Sequence, residues 1–180
     1  ITQANATLLV SVSDICFESE LLGSERCPVV LLDKDIIEPS EDILIADNSV
    51  DQRAYIIFTS GSTGEPKGVE VTQRNILSLL TQQTYADFNE YSVVLHTSPT
   101  TFDAATFEIW GALLNGAILV INPNRILTNT LLETEITLYK VNTLFLTTAL
   151  FNTLVDENPT SFLGNKILFI CFFIPSYLLM

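Results

Sequence analysis

The sequence predicts an α/β fold, with a partial mixed, mainly parallel sheet flanked by helices. Two observations predict it. Short apolar runs of strand length alternate along the chain with stretches of helical periodicity, the pattern of successive βα units. The 180 residues are 48% hydrophobic with a mean hydropathy of +0.38, enough apolar material for a buried core and too much for a disordered tail.

In chain order, strands are expected at Thr7–Val12, Val29–Leu32, Ala54–Phe58, Val93–Leu95, Ala117–Ile121, Thr143–Leu146 and Ile167–Ile170. Helices are expected at Thr72–Thr84, Phe102–Leu114, Thr128–Lys140 and Thr148–Asp156. In the last of these, Leu150, Phe151, Leu154 and Val155 recur at helical spacing and give one buried stripe. Thr72 stands just before the first apolar turn of its helix and suits an N-cap. Ile36–Val50, with Pro39 and several acids, reads as a connecting loop. Trp110 is expected in the core rather than on a ligand. No internal repeat or low-complexity tract interrupts the pattern.

The formal charge is −13, and it is uneven: residues 1–53 carry eleven acids against three bases, Arg26, Lys34 and Arg53. Such a surface repels a phosphate backbone, so nucleic-acid binding is not expected, and a solvated acidic face accounts for the charges. Three widely spaced cysteines (Cys16, Cys27, Cys171) form no CxxC pair, and the only histidine is His96. A zinc site is not expected, nor is any other protein-held metal; the cysteines read as free thiols in a reducing cytosol. No secretory leader opens the chain, so the expected localisation is cytoplasmic.

The most informative segment is Ala54–Gly68, AYIIFTSGSTGEPKG. An apolar strand runs into a loop with three glycines up to Gly68, four hydroxyls (Thr59, Ser60, Ser62, Thr63) and one lysine, Lys67. Glycines allow tight turning and close backbone approach to a ligand, and successive N–H groups can converge on an anion. Hydroxyls add donors and Lys67 adds charge. The GxxxxGK[ST] spacing of a Walker loop is absent. On composition alone a flexible Ser/Gly turn is an equal reading. A second segment, His96–Gly116, places Asp103 after a strand and a Pro-containing loop, at the start of a helix. Its carboxylate could cap that helix, or it could pair with a substrate ammonium.

The string TSGSTGEPKG, preceded by AYIIF and followed by VTQRNI, closely resembles the signature loop of the adenylate-forming superfamily, which holds acyl-CoA synthetases, luciferases and the adenylation domains of nonribosomal peptide synthetases. FDAATFEIWGALLNGA resembles the peptide-synthetase version of a second motif, in which a Phe-Asp pair leads a helix. The resemblance implies that Thr59, Ser60, Gly61, Ser62, Thr63, Gly64 and Lys67 contact the phosphates of ATP, with Lys67 also catalytic and Pro66 stiffening the loop. It implies that Asp103 binds the α-ammonium of an amino acid, that Ala104 and Phe107 line the side-chain pocket, and that His96 is catalytic, near the carboxylate and α-phosphate. A histidine satisfied at a strand end is an equal reading of His96.

The implied reaction is ATP-dependent activation of an amino acid as aminoacyl-AMP, with ATP and Mg²⁺ as cofactors. The implied fold is part of the large N-terminal domain of such an enzyme, with a carrier domain of a parent synthetase as partner. Acyl-CoA synthetases usually lack the aspartate, so Asp103 favours amino acids. An acyl- or aryl-CoA synthetase fragment is the alternative, and an inactive nucleotide-binding remnant is another. The resemblance covers residues 1–166 as a partial adenylation domain. Segments carrying the Mg²⁺-binding glutamate, the ribose aspartate and the C-terminal lysine are not in the sequence, so the chain is expected to be inactive by itself, as a truncated or frame-disturbed gene product. Residues 167–180, ILFICFFIPSYLLM, depart from the family pattern; fourteen mostly apolar residues fall short of the ~20 a membrane-spanning helix needs, and no membrane partner is expected.

Overall fold

The computed structural model describes residues 4–14, 27–35, 49–59, 65–81, 86–122 and 127–160. The chain divides into two compact units, 1–47 and 48–180. In the first, β1 (Leu9–Ser11) and β2 (Val29–Leu31) pair in parallel, with Val10 opposite Val30. Ser13, just past β1, donates its amide to Asp33 at 2.8 Å and its hydroxyl to the other carboxyl oxygen. These bonds hold the Asp33 carboxyl below the usual carboxylate range.

The second unit carries the candidate site. β3 (Arg53–Thr59) and β4 (Lys67–Thr72) form an antiparallel hairpin, with Tyr55 opposite Val71 and Thr59 opposite Lys67. α1 (Gln73–Leu80) follows directly. Thr72 caps it reciprocally with Asn75: the Asn75 amide donates to the Thr72 hydroxyl at 3.3 Å, and the Thr72 amide donates to the Asn75 side chain at 2.8 Å. A three-stranded parallel sheet then forms from β5 (Val93–His96), β6 (Ile118–Ile121) and β7 (Thr143–Leu144), in the order β6-β5-β7. α2 (Ala104–Leu113) joins β5 to β6, α3 (Asn129–Tyr139) joins β6 to β7, and α4 (Thr148–Glu157) follows β7. Thr128 and Thr147 cap α3 and α4 through their hydroxyls.

The architecture is the expected partial α/β one, parallel sheet flanked by helices, and the described elements fall within a few residues of the sequence boundaries. β4 is the exception. Val69 and Val71 alternate with Gly68 and Glu70, a short period-2 pattern concealed by the glycine-rich stretch before it. The hairpin it makes is the antiparallel part of an otherwise parallel set. The expected strand Ile167–Ile170 and most of the Ile36–Val50 loop lie outside the described residues.

Two apolar clusters hold this unit. One gathers Leu95, Val120, Leu132, Leu144, Leu146 and Leu154 between the sheet and the helices α3 and α4. The other gathers Val71, Ile76, Leu80, Phe107 and Phe145, with Tyr55 and Phe88 packed against it. Within it Phe107 meets Phe88 at 4.8 Å and Phe145 at 5.5 Å between ring centres, both tilted. A Cβ on Gly111 would lie 2.5 Å from the Phe88 ring, so only glycine lets that ring lie against α2. Trp110, expected inside, is 36% exposed. Among the described residues no helix is long and apolar enough to cross a membrane.

Candidate functional site

The strand order fixes where a ligand can sit. From β5 the chain leaves through α2 to β6 on one side, then returns through α3 to β7 on the other. Connections that part in opposite directions open a crevice beyond the carboxyl ends of the strands. The segments leaving β5 (Thr97–Asp103) and β7 (Phe145–Thr147) border that crevice. A pocket of about 310 Å³ lies there, lined by Ser98, Phe102, Asp103, Ala104, Phe145 and Thr147, among others. A smaller one of about 140 Å³ shares Ser98, Pro99, Phe145 and Thr147 with it and reaches Leu127 and Leu150.

Asp103 is half-buried at the start of α2 with helical backbone angles (φ −62°, ψ −29°), and its side chain makes no capping hydrogen bond. Of the two readings open from sequence, capping is therefore not the one realised. Its carboxylate borders the larger pocket and has no hydrogen-bonded or ionic partner among the described residues. Ala104 lines the same pocket. Phe107 is only 2% exposed and stands one ring behind the wall, against Phe145, which does line it.

Tyr55, on the strand that leads to the glycine-rich loop, shares a hydrogen bond between hydroxyls with Thr106, on α2. Burial pushes its phenol above the usual value, the Thr106 bond opposes this, and the nearby Asp103 charge adds to the rise. His96 ends β5 with its ring mostly buried, and Nδ1 lies 2.6 Å from Glu108 Oε2. Glu108 is fully buried and also accepts from the amides and hydroxyls of Thr97 and Ser98.

The loop residues Ser60, Gly61, Ser62, Thr63 and Gly64 lie outside the described residues. The hairpin places their neighbours: Thr59 and Lys67 face each other across the two strands, and both are exposed. Lys67 makes no ion pair among the described residues. An uncommitted lysine at the end of a short connection rich in glycine and hydroxyls suits a triphosphate. Among the described residues no group of three His, Cys, Asp or Glu side chains is placed to hold a metal ion.

The structure thus brings Asp103 and Ala104 together at one pocket, with His96 on the strand behind its edge. Sequence reading missed Ser98, Phe145 and Thr147 on the wall, and Glu108 and Tyr55 beneath it. Nothing local marks Phe145 and Thr147, since only the pairing of β7 beside β5 brings them there; Ser98 follows β5 directly, within the His96–Gly116 segment.

Known proteins resemble this chain over most of its length. A family model described as AMP-binding enzyme matches residues 2–169. A linear gramicidin synthase of Brevibacillus parabrevis is 44% identical over 161 residues, covering 88% of this chain. Bacitracin synthase 1 of Bacillus licheniformis is 41% identical over 130 residues, covering 71%. The chain spans 2% of the length of each of these two relatives. Among solved structures, holo-PA1221, an NRPS protein containing adenylation and PCP domains bound to a vinylsulfonamide inhibitor, superposes with a TM-score of 0.74 at 36% identity, over 84% of this chain and 26% of that one.

Proposed function

The chain belongs to the AMP-binding enzyme family, and from that premise we propose that it forms the ATP-phosphate loop and part of the acid pocket of an amino-acid adenylation domain in a nonribosomal peptide synthetase. The observation that carries this reading is Asp103: a carboxylate that leads α2 without capping it and borders a pocket with largely apolar walls. An unpaired carboxylate in such surroundings suits a cation, and the α-ammonium of an amino acid supplies one. Simple carboxylic acids offer no such partner, which disfavours the acyl-CoA synthetase alternative.

In the reaction, a carboxylate oxygen of the amino acid attacks the α-phosphorus of ATP. The bond from that phosphorus to the bridging oxygen breaks, and pyrophosphate leaves with the bonding pair. Asp103 anchors the ammonium, so the carboxylate is presented rather than left to diffuse. Thr59, Ser60, Gly61, Ser62, Thr63, Gly64 and Lys67 hold the β- and γ-phosphates and offset the charge that develops on the leaving group. His96 supplies an imidazole nitrogen at the carboxylate and α-phosphate. Mg²⁺ would supply further neutralisation of the phosphate charge there, beside Lys67. A carrier domain would take the activated acid.

The test is ATP–pyrophosphate exchange in the full-length protein, with amino acids set against the same acids lacking the amino group. Exchange with one or a few amino acids and none with their deaminated counterparts is the expected result. Equal exchange with both would instead support an acyl- or aryl-CoA synthetase.

A further inference from the structure

We infer that Glu108 is a positioning residue of this site, one that sets which nitrogen of His96 carries hydrogen and holds the Thr97–Ser98 corner at the pocket's edge. Its consequence for turnover rests on the adenylation reading above; its consequence for the imidazole does not. The Glu108 carboxylate is completely buried on α2 and has no lysine or arginine partner among the described residues. A buried carboxylate without a cation needs donors on every side. Here all five come from three consecutive residues directly after the strand core of β5. Oε2 accepts from His96 Nδ1 at 2.6 Å, the Thr97 amide at 3.2 Å and the Ser98 amide at 3.1 Å. Oε1 accepts from the Thr97 hydroxyl at 3.2 Å and the Ser98 hydroxyl at 2.9 Å.

This set has a chemical consequence. An ionised carboxylate only accepts, so His96 Nδ1 must be the nitrogen that donates to it. Nε2 is then the ring's open atom, with no partner among the described residues. Free imidazole side chains favour the opposite tautomer, with hydrogen on Nε2, so the protein has chosen. A carboxylate behind a histidine, fixing ring and tautomer, is a recurrent way to prepare the far nitrogen for work. The same helix also carries Asp103 at its start, and Ser98 of the clamped corner lines the pocket beside it. One helix therefore carries both the carboxylate that borders the pocket and the one that holds the His96 ring behind the pocket's edge.

Two experiments test the assignment. His96 is the only histidine, so side-chain ¹⁵N spectra of the 180-residue chain report on it alone. The expected spectrum shows the hydrogen on Nδ1, and Glu108→Gln should move the ring toward the Nε2–H form. In the full-length protein, Glu108→Gln should lower the exchange kcat about 10-fold or more with little change in amino-acid KM, and Glu108→Asp should recover part of it. In a His96→Asn background the same Glu108→Gln change should cost much less, as for two groups acting through one another. An Nε2–H ring in the unaltered chain, a tautomer indifferent to Glu108→Gln, or equal losses in both backgrounds would overturn the assignment. Absence of exchange with every amino acid would count against the adenylation reading while leaving the tautomer result standing.

Discussion

The β3–β4 hairpin and the β5–α2 corner both carry candidate site residues, and they are built from different materials. Along the hairpin most side chains are exposed or half-exposed; only Val71 is buried, and two surface ion pairs, Arg53–Glu70 and Arg74–Asp51, lie at its base. The corner buries a carboxylate completely and satisfies it with five donors, on a helix whose Phe107 sits in tilted contact with two further phenylalanine rings. A ribbon with so little apolar surface opens at small cost, whereas a packed, fully hydrogen-bonded corner does not. The difference suits the two tasks proposed for them. Phosphates call for charge and hydrogen-bond donors, whereas the acid must meet its anchor already in place.

The contrast breaks most visibly at the ring cluster. Phe107→Ala removes the ring between Phe88 and Phe145 and should cost about 3–5 kcal/mol in denaturant unfolding of the full-length protein. A loss under ~1 kcal/mol would mean that the corner is not the rigid half. Gly111→Ala forces a methyl group into the Phe88 ring, which cannot retreat without disturbing Phe107, and should cost about 1–3 kcal/mol. Unchanged stability there would show slack that the close approach denies.

On the hairpin the expectation reverses. Lys67→Ala should leave stability within ~0.5 kcal/mol while raising the ATP KM in pyrophosphate exchange about 10-fold or more. A stability loss without a KM effect would make Lys67 a structural residue. The smallest effect is at the base of the hairpin. The Arg74 hydrogen bond, and then its charge, hold the Asp51 carboxyl below the ordinary carboxylate range. A lowered folded value means the contribution is complete above the ordinary Asp value and disappears as pH falls through the folded one. Asp51→Asn should therefore lessen the acid sensitivity of the hairpin slightly and change nothing at neutral pH beyond the lost pair.

Local signals carried much of this. Thr72, an apolar run, and alternating βα periods give α1, β5, α2, β6 and the α/β class, because each depends on neighbours three or four residues away. Asp103 and the Thr59–Gly68 string stand out for the same reason. What escaped depends on distance in sequence. Phe145 and Thr147 reach the pocket only because β7 pairs with β5, about fifty residues earlier. Glu108 looks like an ordinary helix glutamate until the chain folds it onto residues 96–98. β4 escaped because two valines in a glycine-bearing stretch are too short a pattern to separate from the loop beside them.

The central claim is that Asp103 holds the ammonium of an amino acid, and one variant addresses it directly. In the full-length protein, Asp103→Ala should cost on the order of 3 kcal/mol in amino-acid binding, about a hundredfold in kcat/KM for pyrophosphate exchange, with the ATP KM little altered. The deaminated acid, which gives no exchange with Asp103 in place, should still give none. Undiminished exchange with the cognate amino acid in Asp103→Ala would contradict the account.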